Sequence, residues 1–157
     1  TIPADEADLP AFDRDAKSFT YDRWHGWWRM QREGIAPAYP FGHGLSYTTF
    51  ALGDAEVVLD GDTIVVSGSV SNTGDRDGAD VVQVYAELPD PQSPARLIGF
   101  ARVDVAAGTT EAFTIIVPTS RLERRVDGAW MSPSGRHLIR LARNAGDPDA
   151  TTTDVTL

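Results

Sequence analysis

Pro40-Phe41-Gly42-His43-Gly44-Leu45-Ser46-Tyr47-Thr48-Thr49-Phe50 packs one Pro, two Gly, three aromatics and a cluster of hydroxyls into eleven residues. Pro40 fixes its own φ and steers Tyr39 towards an extended conformation. Gly42 and Gly44 permit backbone angles or close approaches that a Cβ would forbid. From Leu45 onward the residue types, Tyr, Thr, Thr and Phe, suit a strand. The run therefore reads as a pinned turn that delivers the chain into the first strand of a β domain.

Downstream of Phe50 the chain is a series of strands divided by turn chemistry. Asp60-Gly61-Asp62 is a hairpin signal. Ile64, Val66, Gly68 and Val70 then alternate against Thr63, Ser67, Ser69 and Ser71. Asn72 to Gly78 is a long turn rich in residues that tolerate positive φ. Val82, Val84, Ala86 and Leu88 alternate in turn against Val81, Gln83, Tyr85 and Glu87, until Pro89, Pro91 and Pro94 stop the strand. Residues 97–105, 110–117, 136–143 and 151–157 complete the set, with Gly108, Asp127-Gly128 and Gly135 between them. About seven short strands and no convincing helix predict an antiparallel two-layer sandwich.

The residues ahead of the run differ in character. Thr1 to Asp15 is rich in acids and Pro, with Ile2, Leu9 and Phe12 as isolated apolar anchors. Tyr21-Asp22-Arg23-Trp24-His25-Gly26-Trp27-Trp28-Arg29-Met30 then puts three of the four Trp within five residues. No regular periodicity is sustained there. Three indoles, each able to bury about 150–250 Å², demand a cover: the sandwich itself or a neighbouring domain.

These motifs carry a family resemblance. Pro40 to Thr48 closely resembles the Pro-Phe-Gly-x-Gly-Leu-Ser-Tyr-Thr signature that precedes a C-terminal fibronectin type III-like domain in glycoside hydrolase family 3. Val70 to Gly74, Gly78 to Tyr85 and Leu97 to Val103 are similar to later parts of that pattern. Tyr21 to Arg29 and Gly34 to Tyr39 resemble the connector that follows the family's second catalytic domain. Ala95, where a Lys is expected, and Asn144-Ala145-Gly146, in place of Gly-Ser-Ser, depart from it. The resemblance implies an all-β, immunoglobulin/fibronectin type III-like sandwich over residues 40–157, led by an irregular connector over 1–39. It also implies a parent enzyme, a retaining β-glucosidase, whose catalytic barrel and α/β domains lie before Thr1. Those domains, and a second subunit in an oligomer, are the expected partners. The parent would need no cofactor and would meet its β-linked saccharide away from this module.

Composition sets the remaining bounds. A chain of 157 residues, 41% hydrophobic and 24% charged, can bury its own core. A net charge of −9, with Lys17 and 13 Arg against 23 acids, argues against nucleic acid. No apolar run approaches the roughly 20 residues of a membrane span. With no Cys there is no disulfide or thiolate site, and the compartment stays undecided. The start at Thr1 reads as a processed, cloned or cleaved end.

Catalytic chemistry is hard to place on these residues. A retaining glycosidase needs two carboxyl groups about 5–5.5 Å apart. The resemblance would put the nucleophile in a Ser-Asp-aromatic motif, and no Ser here is followed by Asp. Asp60, Asp62, Asp75 and Asp77 read as turn caps. His25, His43 and His137 lack ligand spacing, and Gly42-His43-Gly44 leads into a strand instead of a phosphate-binding helix. The Ser46 hydroxyl is expected to satisfy a backbone group at the start of the strand. Trp130, between a turn and Pro133, is expected to cover an edge or join the core. Trp24, Trp27, Trp28, Arg29 and His43 are the candidate contact residues. They serve packing against this or a neighbouring domain, the rim of the parent's substrate cleft, or, in a rival reading, a sugar platform on Trp24, Trp27 and Trp28. No metal or cofactor ligand is nominated.

Overall fold

A computed structural model describes residues 2–11, 13–20, 22–90 and 93–157. Thr1, Phe12, Tyr21 and Pro91, which entered the sequence reading, lie outside the described residues. Among the described residues nine strands follow one another: β1 (Phe50–Asp60), β2 (Thr63–Asn72), β3 (Gly78–Glu87), β4 (Arg96–Val105), β5 (Thr110–Pro118), β6 (Arg124–Val126), β7 (Ala129–Met131), β8 (Arg136–Ala142) and β9 (Thr151–Thr156). Seven of them build the expected antiparallel sandwich, with one sheet ordered β1-β2-β5 and the other β4-β3-β8-β9. The hydrophobic alternation puts the core between the sheets. Ile64, Val66 and Val70 of β2 and Phe113, Ile115 and Val117 of β5 face Val82, Val84 and Ala86 of β3 and Ile139 and Leu141 of β8. Gly68, on the inner face of β2, leaves room for the Phe113 ring, which a Cβ there would approach to 2.8 Å.

Sequence and structure part in four places. The first strand starts at Phe50, five residues after Leu45, because Phe50 is the first residue with a ladder partner, Asn72. Before it the Thr48 N–H donates to the Ser46 hydroxyl at 3.3 Å, a local turn that uses Ser46 as expected. The leading segment is also not wholly irregular, since it holds the helix α1 (Trp27–Glu33). Two turns are too short to show a 3.6-residue period, but the helix has its own local reasons. Arg29 and Glu33 pair at i,i+4 over 2.9 Å. Gly34, left-handed at φ +67°, ends the helix.

The third difference is the hairpin β6–β7, whose three-residue strands cannot display alternation. Asp127 and Gly128, both at positive φ, form its two-residue turn. The fourth is Trp130, which is 68% exposed. It sits on β7 opposite Arg125, on a hairpin too narrow to bury an indole.

One buried polar side chain fastens the corner where the leading run joins the sandwich. Asn72 accepts from the Thr48 hydroxyl at 2.6 Å and from the Gly74 N–H at 3.1 Å. Its amide nitrogen donates to the carbonyls of Arg76 at 2.7 Å and Val105 at 3.0 Å. All four of its hydrogen-bonding positions are therefore used. Replacing it strands several buried groups, so Asn72→Ala is expected to cost about 2–3 kcal/mol. Urea unfolding would show this as a lower midpoint at unchanged slope, and an unchanged midpoint would contradict the assignment.

Candidate functional site

Strand β3 has two faces, and both are covered. Val82, Val84 and Ala86 enter the core, so Gln83 and Tyr85 must point to the far side of the four-stranded sheet. They are nevertheless only 4% and 3% exposed. The cover is the leading segment. Trp27 of α1 packs with Ala150 on a cluster of Tyr85, Ala142 and Ala145. The Gln31 side chain accepts from the Ala95 N–H at 3.1 Å. Ile2 and Pro3 lie back on the segment as well, with Pro3 bridged to Pro37 and the Ala38 N–H donating to the Ile2 carbonyl at 2.9 Å.

The seam between segment and sheet is polar and closed. The Tyr85 hydroxyl donates to Gln83 Oε1 at 2.6 Å, and Gln83 Nε2 donates to the Arg143 carbonyl at 2.7 Å. The Arg140 guanidinium lies 5.2 Å from the centre of the Tyr85 ring and donates to the Ala145 carbonyl at 2.6 Å. Burial pushes the Tyr85 phenol up to about 12, a rise that the Arg140 charge partly opposes. Over this seam runs the Pro40–Gly42 turn. The Ala145 N–H donates to the Phe41 carbonyl at 2.8 Å, and a Cβ on Gly146 would meet the Pro40 ring at 3.0 Å. Gly42, at φ +81°, leaves so little space that a Cβ would fall 2.2 Å from Gln83 Nε2. Ala95 and the Asn144-Ala145-Gly146 stretch, the two departures from the family pattern, both lie at this contact.

The candidate residues separate along the same lines. Trp27 is half-buried in the second cluster. Trp24 is half-buried with the guanidinium groups of Arg23 and Arg32 over its ring at 4.9 and 4.7 Å. Trp28, 38% exposed, is the most open of the three. Arg29 is held by Glu33 and by the Asp8 carbonyl at 3.2 Å. His43 is exposed, its ring 5.3 Å from that of Tyr39. His137, by contrast, is fully buried, and its Nδ1 donates to the Gly135 carbonyl at 2.9 Å. Of the seam residues, Gln83 and Tyr85 escaped the sequence reading as functional. The available signal was a Gln and a Tyr on a face otherwise free to be wet.

Comparison with known proteins agrees with this architecture. Residues 80–145 match the family model of the fibronectin type III-like domain. Beta-glucosidase B of Emericella nidulans is 36% identical over 115 residues, covering 69% of this chain and 14% of that protein. A xylan 1,4-beta-xylosidase of Xylanibacter ruminicola is 34% identical over 125 residues, covering 76% of this chain and 14% of that protein. Among solved structures, beta-glucosidase 3B from Thermotoga neapolitana in complex with alpha-D-glucose superposes with a TM-score of 0.77 at 31% identity. That match covers 87% of this chain and 20% of the glucosidase. The chain thus spans about a seventh of the two curated relatives.

Two measurements test the seam. Gly42→Ala adds both a left-handed strain and a clash with a hydrogen-bonded Gln83, so a loss of about 2–3 kcal/mol is expected in urea unfolding. Adding Gln83→Ala to that variant should relieve only the clash. Additive losses would show that the two residues do not meet. Tyr85 makes stability fall with rising pH between its ordinary value of 10.0 and about 12, because there the unfolded chain has released a proton that the folded one keeps. Ultraviolet titration should show a late tyrosinate step near pH 12 that Tyr85→Phe removes.

Proposed function

Since this chain carries a fibronectin type III-like domain homologous to the C-terminal part of family 3 β-glucosidases, we propose that it is the structural module of a longer retaining β-glycosidase. In this reading residues 1–39 are the connector and 40–157 the accessory sandwich. The parent's barrel and α/β domains carry the chemistry and bind the β-linked sugar. The observation behind it is the way the leading segment is locked onto the sandwich while aromatic and apolar side chains stay outside. Leu45 and Tyr47 are 95% and 94% exposed, and Tyr39 and Phe41 lie on the same run, also exposed. Contiguous apolar surface of this kind marks a docking face. Similarity to proteins named as a glucosidase and as a xylosidase leaves the sugar to the domains upstream.

Deleting residues 40–157 from the parent is expected to lower its melting temperature by several degrees. The relative rates on aryl glycosides with different leaving groups should stay the same. An unaltered melting temperature, or aryl β-glucoside turnover by the 157-residue chain on its own, would refute the structural role.

A further inference from the structure

The leading segment, Leu88, Ser93 and Pro94 ahead of β4, and the hairpin β6–β7 line an open cleft of about 420 Å³. Trp28 and Arg23 line it from the leading segment, Arg96 from β4, and Arg124, Arg125 and Asp127 from the hairpin. Four of the chain's 14 cationic side chains thus converge in one cleft of a protein whose net charge is −9. Arg96 is pinned by the carbonyls of Glu123 at 3.1 Å and Leu122 at 2.5 Å. Its Nε is buried with no hydrogen-bond partner among the described residues. Burial lowers its pKa, with no carboxylate to offset the shift. Among the described residues Arg125 uses only Nε, on the Gly128 carbonyl at 3.3 Å. Arg124 pairs with Asp90, and among the described residues Asp127 is the single carboxylate of the lining.

A guanidinium fork matches a carboxylate with two parallel hydrogen bonds. An indole face matches the C–H face of a pyranose, because it is flat and apolar. The volume lies within the range of small-molecule sites, about 300–1,000 Å³. A bare inorganic anion would leave the indole unused, and a neutral sugar would leave the Arg125 guanidinium without a carboxylate partner among the described residues. We propose that this cleft binds a carboxylated saccharide, with one uronate ring on Trp28 and its carboxylate held by Arg125 and Arg124. The inference goes beyond the structural role and does not depend on it, because every residue of the cleft belongs to this chain.

The test is calorimetric titration of the 157-residue chain with trigalacturonate, cellotriose and inorganic phosphate in low salt. Trigalacturonate is expected to bind with a Kd of about 1 mM or tighter, more weakly as salt rises, and to shift the Trp28 indole N–H in NMR spectra more than that of Trp27. Trp28→Ala and Arg125→Ala should each weaken binding about tenfold or more. Arg125→Lys, which keeps the charge but loses the fork, should recover only part of it. Circular dichroism establishes that the variants are folded, and the NMR shifts of the unaltered chain supply a readout that does not depend on them. The proposal is overturned by no heat from trigalacturonate up to about 10 mM. Cellotriose or phosphate binding as tightly, or shifts centred on Trp27, would also overturn it.

Discussion

The amide of Gln83 sits against the backbone of Gly42, and neither could be where it is without the other. Gln83 alternates away from the core, so the strand that carries it offers a polar side chain to the far side of the sheet. Left to water, that side chain would cost nothing. Here it is enclosed, and its two functional ends are taken by the Tyr85 hydroxyl and the Arg143 carbonyl. Enclosure needs backbone at a distance no Cβ allows, which only glycine supplies, and a chain direction that brings Pro40 onto Gly146. The path of the chain ahead of the sandwich follows from this: α1 lies on the same face through Trp27, and Ile2 and Pro3 fold back on 37 and 38.

Magnitudes divide the labour between the two layers. Each fully buried Val, Ile or Leu of the core contributes about 1.5–3 kcal/mol, and these side chains come from both sheets. Each hydrogen bond in the seam nets only about 0.5–1.5 kcal/mol. The core decides whether the chain folds, whereas the seam decides where the leading segment lies. Hydrogen bonds suit that second task because they are directional. An unmade one costs about 1–3 kcal/mol in a buried site, so a slipped segment is penalised even though the correct one gains little. Asn72 acts likewise at the other end of the run, tying Thr48 to the β2 corner and to the last residue of β4.

The sandwich was legible because its strands are long enough to alternate and its turns carry Gly, Asp and Asn. The alternation of β2 and β3 assigns the faces correctly, and Gly61 and Asp127-Gly128 mark real turns. What stayed hidden was short or non-local. Two turns of helix and three-residue strands carry no period. The start of β1 depends on where a partner strand ends, which Leu45 to Thr49 cannot announce. The burial of Gln83 and Tyr85 depends on residues some 40–60 positions upstream. The arginine cleft is assembled from residues 23 to 127 and leaves no local pattern at all. The Trp cluster was conspicuous, but its three rings went three ways: into a packed seam, beneath guanidinium groups and into an open cleft.

The exposed run between Gly42 and Thr48 differs from an ordinary hydrophobic surface loop in being held at both ends. Upstream, Phe41 is tied to Ala145 and Pro40 rests on Gly146. Downstream, Thr48 is tied to Asn72, and the Thr73 N–H donates to the Thr49 carbonyl at 2.8 Å. A loop free at either end could turn Leu45 and Tyr47 inward and recover part of their burial energy. Anchored this way, it holds them out, and the entropy of ordering them is lost during folding rather than on contact. A second apolar row, Val58, Val65 and Ile116, crosses the outer face of the three-stranded sheet in register. It is flanked there by Glu56, Ser67 and Thr114. Water can wet such a row between its polar neighbours, but the 39–47 run gathers Tyr39, Phe41, Leu45 and Tyr47 into one short, anchored stretch. That difference in anchoring, more than in area, sets the run apart from the row on the sheet, and under the proposed structural role it is the face this module would offer to a larger body.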